Sequence, residues 1–269
     1  DVPSSRKLTQ FDLDRFELIR KNASFDDEFY DPHMVQLNIT RRRLSNGCAH
    51  CATDATPLAP ERLNRIFVRR FIEGLEDLPI FDMYVMGGEP MLMRRLANEA
   101  FSLGIANEFI SRFHLESNLF WASTRERADK IMGQLASLGF EENNKTLILA
   151  GNTDRFHRCH VPFESLFNAM TALYQHFPNG VFGLSHTLKP GDTSQLEFLE
   201  FLRDKGVLEE ADVKKNKDGS RTVNSFTVNH EGSSREVDFC NIKPVLVGRG
   251  RELRGTPYDE WIRASSFAP

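Results

Sequence analysis

Five times between residues 34 and 206, a short apolar run suited to a strand gives way to a longer stretch with helical spacing. The strand candidates are "MVQLNIT" from Met34, "IFDMYVM" from Ile80, "FHLES" from Phe113, "KTLILAG" from Lys145 and "GVFGLS" from Gly180. Between the first two, "PERLNRIFVRRFIEGLEDL" puts Leu63, Ile66, Phe67, Phe71 and Leu75 on one helical face, with Pro60 near its start. Ser123-Thr124-Arg125-Glu126 forms a capping box for a helix closed by Gly139. Leu166, Met170 and Leu173 keep helical spacing between Val161 and Phe177. Asp192 and Gln195 can cap "QLEFLEFLRDKG". Such alternation predicts βα units around a parallel sheet with right-handed crossovers. About six units, too few for a closed eight-stranded barrel, predict an open or partial barrel.

The remainder of the chain has a different rhythm. "RTVNSFTVNHEGSSREVDFC" alternates on both sides of a Gly-Ser turn and reads as a β-hairpin, and "KPVLVGRGREL" as a final strand and turn. Residues 1–33 read as an N-terminal extension with one amphipathic helix, 34–255 as the βα domain and 256–269 as a tail. The hairpin and tail suit a lid or a partner surface.

A net charge of −4 gives no general attraction to nucleic acid or anionic lipid, and the Arg41-Arg42-Arg43 and Lys214-Lys215-Lys217 clusters read as solvated loop charge. No apolar run reaches the length of a membrane span. Four cysteines in 269 residues make a poor disulfide framework, whereas the tight pair Cys48 and Cys51 points to metal or redox chemistry in a reducing cytoplasm.

In a parallel βα sheet, ligands sit at the carboxyl ends of the strands. The unusual residues fall in those loops: the cysteines after the first strand, Gly87-Gly88-Glu89-Pro90 after the second, and Ser117-Asn118 after the third. "GNTDRFH" follows the fourth and Ser185-His186 the fifth. The two glycines free backbone groups to approach a ligand, and Glu89 places a carboxylate suited to an ammonium group beside them. A tight turn before a helix begun by Pro90 accounts for the same residues without a ligand. Asp154 and His157 could exchange a proton, although a buried structural hydrogen bond is the commoner use of such a pair.

Taken together, "CAHC" after one strand and "MGGEPML" after the next resemble the radical S-adenosylmethionine (radical SAM) superfamily. "NTDRFHRCHVP" and "VGRGREL" extend the likeness over roughly residues 34–253. The resemblance implies a partial (β/α)6 barrel with an appended C-terminal β-hairpin. It also implies a 4Fe-4S cluster and S-adenosylmethionine, together making a 5′-deoxyadenosyl radical that abstracts hydrogen from a small-molecule or peptide substrate, with an electron donor as partner. Carried over by position, Cys48 and Cys51 match two cluster ligands and His50 the residue near the adenine. Gly87, Gly88 and Glu89 match the methionine-binding turn, and Ser117, Asn118 and Asp154 match positions around the ribose.

One ligand is absent from the pattern. Its C-x-x-x-C spacing places Leu44 where the first cysteine belongs, while counting from Thr40 gives Arg43. Neither side chain binds iron, and clusters of this kind are held by thiolates or, less often, imidazoles. Cys159 is the best substitute, with Cys240, His50, His157 and His160 weaker ones. The alternatives are a scaffold that has lost its cluster, or a tetrahedral zinc site drawn from the same cysteines and histidines. The expectation is a radical SAM protein, with a cluster-deficient binding scaffold as the competing class.

Overall fold

The computed structural model describes residues 34–44, 55–75, 78, 80–158, 160–187, 191–216 and 219–242. Six strands run parallel: β1 (Met34–Thr40), β2 (Asp82–Gly87), β3 (Arg112–Glu116), β4 (Thr146–Asn152), β5 (Val181–Thr187) and β8 (Ser233–Ile242). Two more, β6 (Leu208–Lys215) and β7 (Arg221–His230), continue the sheet antiparallel in the order β1-β2-β3-β4-β5-β8-β7-β6. The helices between them are α1 (Arg65–Glu73), α2 (Arg94–Ile105), α3 (Arg125–Ala136), the single turn α4 (Arg155–Arg158), α5 (Phe163–His176) and α6 (Ser194–Asp204).

Strand alternation explains which face the helices cover. Val35, Leu37 and Ile39 are buried while Gln36 and Asn38 are exposed, so β1 turns one side chain in two towards the helical layer. Phe113 and Leu115 on β3, Leu147 and Leu149 on β4, and Phe182 and Leu184 on β5 continue that layer. Edge-to-face aromatic contacts tie it together, with Phe113 and Phe140 ring centroids 5.3 Å apart and Phe140 and Phe177 5.6 Å apart. Each such pair contributes about 0.5–1.5 kcal/mol beyond the area it buries. The opposite face of the parallel strands carries no helix among the described residues.

The sheet is open, with β1 and β6 as its edges, as a chain with too few units for a closed barrel requires. Two sequence expectations change here. The hairpin forms as read, turning through Glu231 and Gly232 at φ 49° and 81°, but it is no lid. Its second strand β8 lies parallel beside β5 and completes the six-stranded parallel part of the sheet. Lys214 and Lys215 lie on the strand β6 rather than in a loop, and they charge a sheet edge where an apolar strand would invite pairing with another chain.

The first helix is also shorter than its spacing predicts. It begins at Asn64, whose Oδ1 accepts from Ile66 N, because the preceding residues pair with the end of β1. Leu63 N donates to Ile39 O at 2.9 Å and Arg41 N to Glu61 O at 3.0 Å, so Pro60 sits in an extended flap over the edge of the sheet. Its buried stripe is Val68 and Ile72, continued by Leu75 beyond its end, and Ile66 faces solvent. The extension 1–33 and the segment "KPVLVGRGREL" lie outside the described residues.

Candidate functional site

All six parallel strands end on one edge, and the chain exits β1 there into the segment that leads to the cysteine loop. That exit is stitched to the turn after β2. Gly88 N donates to Thr40 O at 2.6 Å and Glu89 N donates to Arg42 O at 2.9 Å. The glycines are explained by this contact. A Cβ on Gly87, whose φ is +138°, would stand 2.4 Å from Thr40 O, and one on Gly88 would stand 2.4 Å from Arg42 O. The close approach is thus to the chain's own backbone, where sequence reasoning anticipated a ligand. Gly88→Ala is expected to destabilise the fold by roughly 1–3 kcal/mol, because the obstructing atoms are backbone and cannot swing away. Thermal unfolding measures it, and a change below about 0.5 kcal/mol would show that the two loops separate at no cost.

Glu89 is fully buried, and its carboxylate faces inward. Its Oε1 accepts from Ser117 Oγ at 2.8 Å and from Met91 N at 3.1 Å, and its Oε2 accepts from Asn118 N at 2.9 Å. Burial pushes the carboxyl above its usual range, opposed by those hydrogen bonds and by the Arg43 guanidinium. Ser117 Oγ also accepts from Leu119 N and from Trp121 Nε1, both at 3.0 Å, and Asn118 Oδ1 accepts from Phe120 N. Glu89, Ser117 and Asn118 therefore come together as the sequence suggests, but as a bracket that fastens the loop after β2 to the loop after β3. Arg43 is buried rather than solvated, and its charge bears on Glu89.

The second group lies at the end of β4. Asp154 is fully buried, and its Oδ1 accepts from Phe156 N at 3.0 Å and lies 2.8 Å from His157 Nδ1. Its Oδ2 accepts from Thr187 N at 3.1 Å, which ties the turn α4 to the end of β5. The pair Asp154 and His157 is thus formed, with the carboxylate in a structural role and only the imidazole reaching the surface, its side chain 14% exposed. Asp154→Asn exchanges a carboxylate oxygen for an amide that meets N–H donors. It is expected to cost about 2–3 kcal/mol, and urea unfolding at neutral pH tests it. Unchanged stability would remove Asp154 from the frame of the site.

Cys48, His50, Cys51 and Cys159 lie outside the described residues. Cys240, on β8, is exposed. Leu44, at the position where the cluster pattern requires a thiolate, is half exposed and has no donor atom. Among the described residues, no three His, Cys, Asp or Glu side chains converge to hold a metal ion.

Sequence reasoning missed a polar cluster on the helix-free face. Asp82 of β2 accepts from Arg112 Nη2 at 2.5 Å and lies 2.7 Å from His114 Nε2, both on β3. Burial alone would raise the Asp82 carboxyl, but these hydrogen bonds outweigh it and hold the group below the usual carboxylate range. Burial depresses the His114 imidazole despite the carboxylate, and the ring stacks on Tyr84 at a centroid distance of 3.8 Å. The signal for these residues was weak: polar side chains at alternate positions of a half-buried strand look like an ordinary solvated face.

No family model matches the chain, and no curated protein matches it. Among solved structures, that of HydG, a maturase of the [FeFe]-hydrogenase, aligns with 65% of this chain at 18% identity and a TM-score of 0.44. The aligned region spans 40% of that protein.

Proposed function

We propose that this chain is a protein of the radical SAM type. It binds S-adenosylmethionine at the carboxyl edge of its parallel strands, beside a cluster loop that is one thiolate short. The observation that carries the reading is the stitching of Gly88 and Glu89 to Thr40 and Arg42. It holds the path into the C-x-x-C loop against the G-G-E-P turn, the two motifs on which the resemblance rests. In this reading Glu89 braces the turn through Ser117 and Asn118, and it serves as its internal support rather than as the partner of the cofactor's amino group.

The donor set does not fit a three-thiolate cluster. Leu44 offers hydrocarbon at the first ligand position, and Arg43 carries a buried positive charge next to Glu89. Cys159, the substitute thiolate the sequence offers, and the cysteine loop both lie outside the described residues. No radical step is therefore assigned to this chain, and S-adenosylmethionine binding is the activity proposed.

Calorimetric titration of the full chain with S-adenosylmethionine tests this reading. Saturable one-to-one binding is expected, and absence of binding at millimolar cofactor would overturn it. The second reading is an active enzyme that makes a 5′-deoxyadenosyl radical, using a cluster completed by Cys159, a small-molecule or peptide substrate and an electron donor. It is favoured by the His157 imidazole, which is held by the buried Asp154 and reaches the surface at the same edge. Among the described residues, no helix is long and apolar enough to cross a membrane.

A further inference from the structure

Glu116 ends β3 with its side chain on the helix-free face, two residues along from His114. Among the described residues its carboxylate has no hydrogen bond and no ion pair, and no charged neighbour offsets the burial that pushes its carboxyl above the usual range. The cation nearest in sequence, Arg112, is occupied by Asp82. The neighbours of Glu116 across the sheet are small: Glu116 pairs in register with Ala150, Ala150 with Gly183, and Gly183 with Asp238. A Cβ built on Gly183 would meet nothing within 4 Å. The result is an open strip of small residues on the sheet face, running from Glu116 to Asp238 three strands away, roughly 14 Å long.

His114, two residues before Glu116 on the same face of β3, stands beside the strip as an acceptor. Asp82 can only accept from it, so His114 Nε2 carries the proton and Nδ1 keeps its lone pair. Stacking on Tyr84 fixes the ring plane. On the other side of the row, Asn152 pairs in register with Ser185. A half-buried carboxylate without a cation, an oriented imidazole acceptor and an empty strip of Ala150 and Gly183 suit one kind of ligand.

We propose that the helix-free sheet face around Glu116, His114 and Gly183 binds a small molecule that carries a primary ammonium group, with Glu116 as its counter-ion. Burial makes an unpaired carboxylate costly, and a ligand ammonium returns that cost on binding. The ammonium donates to Glu116 and, through a second hydrogen, to His114 Nδ1. The apolar part of the ligand lies along Ala150 and Gly183. The proposal stands on the sheet face alone and does not need S-adenosylmethionine at the carboxyl edge.

Titration of the full chain with butylamine tests it, with 1-butanol and butyrate as neutral and anionic matches of similar size. Butylamine is expected to bind at least ~10-fold tighter than either, the difference made by one charge-assisted hydrogen-bonded pair. Glu116→Gln should weaken butylamine ~10-fold, whereas Asp238→Asn at the far end should change it less than about twofold. Thermal unfolding of Glu116→Gln supplies a check free of ligand. A carboxyl raised in the folded state is stabilising while protonated at low pH, and that contribution is lost as pH rises through its folded value. The neutral amide should therefore be at least as stable as the parent at neutral pH. Equal binding of butylamine and butanol, or unchanged butylamine affinity in Glu116→Gln, would overturn the proposal. So would competitive displacement of butylamine by S-adenosylmethionine, since the ammonium recognised would then be the cofactor's own.

Discussion

Glu89→Ala is expected to be among the most damaging single changes in the described part of the chain, costing roughly 3–5 kcal/mol. The substitution strands three donors at once: Ser117 Oγ, Met91 N and Asn118 N. It also leaves the buried Arg43 without the carboxylate its charge bears on. Only two of the three donors lie on the backbone. The Ser117 hydroxyl can turn to another acceptor, but the N–H groups of Met91 and Asn118 are fixed by their turns. A domain of ordinary stability, about 5–15 kcal/mol, would lose a large part of its margin. Denaturant unfolding measures the loss, and a cost below about 1 kcal/mol would mean the bracket is dispensable.

The pH dependence separates charge from packing at the same position. Because burial raises the Glu89 carboxyl, its contribution is fully present below the ordinary glutamate range and is lost as pH rises through the higher folded value. Glu89→Gln removes that titration. The variant should therefore show a flatter decline of stability with pH above the usual carboxylate range. An identical pH profile for parent and variant would place the titration elsewhere.

Periodicity made the parallel part of the fold legible because helices cover one side of it. Val35, Leu37 and Ile39 are buried and alternate with exposed Gln36 and Asn38, which is the pattern a reader of the chain can see. Strand β6 was missed for the opposite reason. Its residues "LEEADVKK" are all exposed or half-exposed at a sheet edge, so no apolar period marks them. The start of α1 was misplaced because the pairing of Leu63 with Ile39 spans 24 residues, and local spacing carries no trace of it.

The site divides along the same line. That Gly87, Gly88, Glu89, Ser117 and Asn118 share an edge followed from the parallel topology. That Glu89 is satisfied by Ser117 and Asn118 did not, since the contact joins residues 28 and 29 apart through two strand ends. The bracket gives Glu89 a task of its own beside the ammonium-binding role its sequence position suggests. The Asp82, Tyr84 and His114 cluster was invisible because it depends on the β2 and β3 register, in which Tyr84 stands opposite His114.

Position 44 offers the most direct test of the central claim, that the edge of this sheet is a radical SAM-type cofactor site lacking one cluster ligand. The measurement is iron counting with electron paramagnetic resonance after anaerobic reconstitution with iron and sulfide, on the parent chain and on Leu44→Cys. Leu44 is half exposed, so a thiol there costs little packing and folding should survive. The parent is expected to retain little iron, and Leu44→Cys to reach about four irons per chain with a reducible 4Fe-4S signal, as three thiolates allow. Leu44→Cys holding no more iron than the parent would contradict the account. A parent that loads fully, and loses the cluster on Cys159→Ala, would contradict it in favour of the active enzyme.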